Sequence, residues 1–288
     1  MALVVGVAAA VVLAPLAADG VARAGFRIPF PRIFDRVVTA TLAAAMLLLA
    51  RRLELVRLLR EGFGEPRRNL SQLLVGIGVA LAVMAALFAV AIAIAHPQFA
   101  IGALGLRVLR YSAAALLIGL LEEAFFRAIL LGGMVRDFGR RAALTLSAAI
   151  YALAHLVRSP RHYYLTGLHA TAGFENLVAS LARIAHPDGL IAMTLGLFLL
   201  GLVLGAAFLV TGRAYLSVGL HAGFVIGAKC WPLVAAGATP IPRWLAGPGP
   251  VPLIAAPAAW IAALALLAVI APAGRASRSF LSNERTRV

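Results

Sequence analysis

An acidic pair followed by an arginine, Glu122-Glu123-Ala-Phe-Phe-Arg127, stands in the middle of an apolar run that covers residues 111–135. The run is long enough to cross a bilayer, which takes about 20 residues. Charged groups at the centre of such a segment cost roughly 2.5–3.5 kcal/mol each on insertion scales. They persist where they have a use, so the pair marks a candidate functional site. The rest of the chain is read by asking what these carboxylates face.

Composition supports the membrane setting. Of 288 residues, 62% are hydrophobic and 13% charged, and the mean hydropathy is +0.97. The expected fold class is all-α: a polytopic membrane helical bundle with about eight transmembrane helices. The spans fall at residues 1–18, 37–50, 70–95, 111–135, 142–157, 189–211, 214–231 and 251–271. The net charge of +15 comes from arginines that flank these spans. A soluble basic face with stacking aromatics is not visible, so nucleic acid is not an expected partner. The single cysteine, Cys230, rules out an intrachain disulfide and a thiolate metal cluster.

The connections differ in character. Residues 51–68 are basic and amphipathic, as expected of a helix extended along lipid headgroups. Residues 136–141 make a short basic turn, loosened on the near side by Gly132-Gly133. Residues 158–188 form the longest polar connection, a solvated connector with a surface helix near Leu177–Ile184. Residues 275–288 read as a disordered polar tail. Eight spans put both termini on one side, with 14 basic residues there against 11 opposite. The positive-inside rule then favours cytoplasmic termini. The domain reading is residues 1–110 for the N-terminal helices and basic connections, 111–231 for a catalytic core, and 232–288 for the last helix and tail.

Helix geometry separates the two acids. At about 100° per residue, Glu123 and Arg127 lie about 40° apart, and Glu122 and Arg127 about 140°. Glu123 can pair with Arg127. Glu122 is left on another face, free to act as a base near neutral pH. The plain alternative is that all three residues form a polar clasp between helices. Only His155 and His221 among the histidines fall within spans. Glu122 is about 18 Å past Arg110, and His221 about 15 Å from Trp231, so they can meet in one half of the bilayer. Gly219 and Gly223 flank His221 and permit another backbone to come close. Gly201 and Gly205 offer a second small-xxx-small contact.

The chemistry that fits is peptide-bond hydrolysis. A carboxylate takes a proton from water, and imidazoles stabilise the oxyanion and protonate the leaving amine. Neither Ser147 nor Ser217 has a convincing partner for a nucleophile's role. A Glu/His/His set (Glu122, His155, His221) can also hold zinc with an open fourth position. Nothing in the spacing resembles His-Glu-x-x-His, so the sequence does not itself imply a metal.

Glu-Glu-x-x-x-Arg on one span, aromatic-x-x-x-His on the next (Tyr151 to His155) and a histidine on a later span (His221) resemble the CPBP family. This is the CAAX-protease and bacteriocin-processing family of intramembrane endopeptidases. The resemblance covers about residues 111–229. It implies that Glu122 activates water, that Glu123 and Arg127 orient the helix, and that His155 and His221 polarise the substrate carbonyl. Tyr151 opens the second motif where the family usually has Phe. The third motif usually ends in Asn or Asp; here it is His221-Ala-Gly-Phe-Val225, and Val225 has no hydrogen-bonding group. The implied partners are the bilayer and a membrane-associated protein or peptide substrate. The implied location is an inner, cytoplasmic membrane of a bacterium. Two other readings stay open from the residues: a non-catalytic immunity or interaction protein on the same scaffold, and a transporter using Glu122 as a proton or cation site.

Overall fold

The computed structural model describes residues 2–49, 54–96, 101–156, 163–182, 190–235, 239–248 and 253–285. Among these, all regular structure is helical. The helices are α1 (Ala2–Arg23), α2 (Phe30–Leu49), α3 (Leu55–Phe63), α4 (Pro66–Ala95), α5 (Ile101–Glu123), α6 (Gly132–Leu156), α7 (Ala172–Ala182), α8 (Leu190–Thr211), α9 (Tyr215–Ala235), α10 (Arg243–Ala246) and α11 (Pro257–Arg285). A π-helix, Ala124–Leu131, joins α5 to α6. Helices overlap each of the eight expected spans, but among the described residues fewer than eight of them meet the length and apolarity of a membrane crossing. Among the described residues, Pro66–Ala95, Leu190–Thr211 and Tyr215–Leu233 are long and apolar enough to cross a membrane.

The chain divides into two compact units. The first is Met1–Val56 with Leu153–Leu190, and the second is Arg57–Ala152 with Ile191–Val288. In the first unit, α1 and α2 bury Ala10, Ala14, Ala18, Phe30, Ile33 and Phe34 together with Ala172 of α7. Gly173 lets α7 lie directly on the Val11 carbonyl. The Phe30 amide donates to the Tyr163 carbonyl (2.8 Å), and the two rings pack 5.6 Å apart. The surface helix expected in the long connection is therefore present. It is packed on α1, however, where a solvated connector was expected: its small residues Ala172 and Gly173 match the small-residue face of α1. His162, Arg183 and His186 of that connection lie outside the described residues.

In the second unit, α9 is the central element. It runs parallel to α4 and antiparallel to α5, the senses that consecutive membrane crossings would give. Glycines set both approaches. A Cβ on Gly223 would stand 2.6 Å from Ala80 Cβ, and one on Gly76 would stand 2.8 Å from the Leu220 amide. A side chain on Gly219 would run into the Leu73 carbonyl. On the other flank, a Cβ on Gly119 would be 3.2 Å from the Val218 carbonyl. The Gly201/Gly205 pair serves α8 in the same way, against Ala148 and Leu144 of α6.

Three connections differ from the sequence expectation. The helix runs on through Gly132 and Gly133, and the break comes at Gly139 (φ 72°, ψ 167°), a backbone conformation open mainly to glycine. Helix α3, expected along lipid headgroups, meets protein on its apolar face. It folds onto the end of the second unit, with Leu58 buried beside Gly132 and Gly133 and Gly62 against Ala128. The Ala214 amide donates to the Gly62 carbonyl (2.9 Å), Tyr215 Oη to the Phe63 carbonyl (2.9 Å), and Arg213 to the Glu61 carbonyl and to Glu65 (3.1 Å). Its amphipathic face is satisfied by protein, which a sequence pattern cannot distinguish from lipid. Finally, α11 continues through Arg285, so the expected disordered tail is helical over that length.

Candidate active site

Glu122 and Glu123 are the last two residues of α5, at the point where the helix widens into the π segment. π-Helical turns are rare and frequently found at functional sites. Here the Gly132 amide reaches back five residues to the Arg127 carbonyl. Ser147 of α6, fully buried, donates from Oγ to the Phe126 carbonyl (3.2 Å) within the widened segment. The same hydroxyl accepts from Arg127 Nη1 (3.4 Å). Ser217 donates to the Ala214 carbonyl one turn back (2.9 Å). Both serine hydroxyls are thus used in holding the backbone and Arg127.

The two acids have the different surroundings that their spacing suggests. Glu123 is fully buried and Glu122 is 29% exposed. Arg127, also fully buried, donates from Nε to Glu123 Oε2 (2.9 Å), the i,i+4 pair expected from sequence. Glu123 has a second partner that the sequence did not show. Its Oε1 lies 2.9 Å from His221 Nδ1. An ionised carboxylate can only accept, so this contact puts hydrogen on Nδ1. The other ring nitrogen, Nε2, then faces Glu122, with 3.7 Å to Oε2.

One carboxylate therefore joins a guanidinium to an imidazole, and the imidazole is aimed at the other carboxylate. The arrangement depends on Gly119, one turn before the acids. It lets α5 approach α9 closely enough that a Cβ there would be 3.6 Å from His221 Cβ. A buried ion pair costs much desolvation and survives where hydrogen bonds satisfy the charges. Glu123 meets that condition with one hydrogen-bond partner on each oxygen.

Tyr151 closes the far side of the site. It is buried on α6, with its ring edge-on to Phe126 (5.0 Å) and to His221 (6.4 Å), and the Arg127 guanidinium carbon 5.1 Å from its centre. A spacing signal for Ser147 existed, since it sits one turn before Tyr151 on the same helix. His155 lies one turn beyond Tyr151, in the last turn of α6, and is half-buried. The division of the chain falls between Ala152 and Leu153, so His155 belongs to the first unit and the other site residues to the second. Within the second unit, the structure brings together Glu122, Glu123, Arg127, Tyr151 and His221. Val225, one turn past His221, packs in an apolar cluster with Ala115, Ala222, Leu104 and Val108.

Residues 104–227 match the family model described as Type II CAAX prenyl endopeptidase Rce1-like. This stretch is similar to the CAAX-protease (CPBP) family. The family is one of membrane proteases, and the apolar helices of the chain accord with an integral membrane protein. The match spans α5, the π segment, α6, α7, α8 and most of α9, and so contains every residue of the site. No curated protein and no solved structure matches the chain. Among the described residues, no three His, Cys, Asp or Glu side chains are grouped as a metal ion would need.

Proposed function

We propose that this chain is an intramembrane endopeptidase of the glutamate type, with residues 111–231 as its catalytic core. The observation that carries the reading is the pair of contacts on His221. Glu123 holds Nδ1 at 2.9 Å, and Nε2 is thereby presented to Glu122 across 3.7 Å. At that separation a water lying beside the pair can touch both groups. In this mechanism Glu122 takes a proton from the water as its oxygen attacks the scissile carbonyl carbon. His221 Nε2–H stabilises the oxyanion that forms. The tetrahedral species then collapses: the C–N bond breaks and the nitrogen leaves with a proton supplied by the site. The products are a carboxylate and an amine. Glu123 and Arg127 hold the imidazole, and Tyr151 supports them. Both oxygens of Glu123 are already engaged by Arg127 and His221, so Glu123 does not offer itself to a metal, and no step is drawn through one.

The substrate is a membrane-associated or exported protein or peptide, cleaved in the bacterial inner membrane by a chain that crosses the bilayer eight times. The test uses the purified chain in liposomes, with two fluorogenic probes: a farnesylated CAAX peptide and an unprenylated lipid-anchored peptide. Cleavage of either is expected to be lost in Glu122→Gln, at unchanged thermal stability, and in His221→Ala. Undiminished cleavage in Glu122→Gln would refute the reading. A second reading, a non-catalytic member of the scaffold, draws on Val225. Its apolar packing leaves the third motif without a second polar group. Biological activity that survives the double replacement of His155 and His221 would select it.

A further inference from the structure

Arg127 raises a problem that its hydrogen bonds do not solve. It is fully buried, and Nε and Nη1 find Glu123 and Ser147, but Nη2 is buried with no hydrogen-bond partner. A charged donor left that way is costly. Among the described residues, aromatic rings present electron-rich faces to the guanidinium. Its carbon lies 5.1 Å from the centre of the Tyr151 ring and 6.0 Å from that of Phe126. Attraction of a cation to a ring face strengthens when water is excluded, and the Tyr151 contact is the shorter of the two.

The same Tyr151 ring also meets His221, at 6.4 Å and an interplanar angle of 85°. Phe126 braces it from a third direction at 5.0 Å. Arg127 and His221 are the two partners of Glu123. One aromatic ring thus touches both groups that fix this carboxylate. We propose that Tyr151 is a positioning residue whose ring, by its π face on Arg127 and its contact with His221, keeps Nδ1 of His221 on Glu123 and so aims Nε2 at Glu122. The inference rests on the protease reading for its consequence in turnover, but not for its consequence on the imidazole. The part assigned to the ring predicts that its shape and quadrupole matter.

The experiment replaces Tyr151 in the full chain, reconstituted in liposomes, and follows two readouts. The first is kcat and KM on the farnesylated CAAX and unprenylated probe peptides. Tyr151→Phe is expected to keep kcat within about twofold, whereas Tyr151→Leu lowers it about 10- to 100-fold with KM unchanged. The second readout needs no substrate: the 15N signals of the His221 ring, assigned by their loss in His221→Ala. Nδ1–H is retained in Tyr151→Phe and lost in Tyr151→Leu. Because leucine can disturb folding, a series of increasingly fluorinated phenylalanines at position 151 serves as well. It weakens the ring quadrupole at nearly constant shape, and a graded loss of the Nδ1–H signal is expected. A flat fluorination series, or a Tyr151→Phe protein as damaged as Tyr151→Leu, would overturn the inference. A wild-type chain that cleaves neither probe would sink the protease reading, and the nitrogen signals would still decide this one.

Discussion

Replacing Glu123 by glutamine tests the site at its most connected point. The change is nearly isosteric, but an amide has one acceptor oxygen where the carboxylate has two. Arg127 always donates, so the amide oxygen turns to its Nε–H, now at 2.9 Å from Glu123 Oε2. The amide NH2 then faces His221 Nδ1, which in the wild type donates to Glu123 Oε1. Two donors cannot face each other, and the ring responds by giving up its Nδ1 hydrogen and keeping the one on Nε2. The imidazole is left neutral, with no carboxylate to stabilise its charged form. It becomes a poor proton donor for the leaving amine. General acid–base catalysis contributes typically 10²–10⁴-fold, so kcat is expected to fall by about that factor with KM little changed. Stability should fall as well, since Arg127 keeps its buried charge and loses its counter-charge. Breaking a buried pair costs about 3–5 kcal/mol, and the retained amide–guanidinium bond puts this variant near the lower end. Cleavage kinetics measure the first effect, and unfolding of the reconstituted chain the second. The histidine 15N spectrum reports the change of protonation. A Glu123→Gln protein with kcat within threefold of wild type and His221 still protonated at Nδ1 would refute the reasoning.

Further outcomes follow from the packing. Ser147→Ala removes the hydroxyl that serves both the Phe126 carbonyl and Arg127; it should cost about 1–3 kcal/mol of stability yet leave measurable cleavage, and a dead but stable variant would make Ser147 a nucleophile after all. Gly219→Val drives a side chain into the Leu73 carbonyl, and overpacking of this kind costs about 1–3 kcal/mol or more, to be seen as lower thermal stability and yield. Val225→Asn places an amide in the apolar cluster with Leu104 and Val108; thermal stability should fall, by about 1–3 kcal/mol if the amide finds no partner, with no gain in turnover. Arg213→Ala removes the side-chain contacts to Glu61 and Glu65, and limited proteolysis should then cut the 57–65 segment faster than in the wild type.

Much of the site was legible because its parts are local or chemically unusual. The i,i+4 spacing of Glu123 and Arg127 is enough to predict their pairing. Gly219 and Gly223 announce a close crossing because a small residue twice on one face has few other uses in a membrane helix. His221 stood out as an ionisable group inside an apolar span. Its bond to Glu123 did not, because the two are 98 residues apart and nothing in either neighbourhood encodes the other. The π-helix was equally hidden. Residues 124–131 would suit an ordinary α-helix, and the widened turn finds a buried donor, Ser147, on a neighbouring helix. The amphipathic face of α3 was visible, but whether lipid or protein covers it depends on Arg213 and Tyr215, far along the chain. The break at Gly139 fell inside the expected basic turn, where the glycine was the available signal.

The glycine stripe along α9 also limits how a polypeptide can get in. Two helices docked main chain to main chain over Gly76, Gly219 and Gly223 cannot slide or roll past one another by small steps, because the first displacement drives carbonyls into neighbouring peptide planes. Whatever gate admits a substrate strand to Glu122, its moving jamb is not α4, and a crosslink tying α4 to α9 should leave entry unhindered.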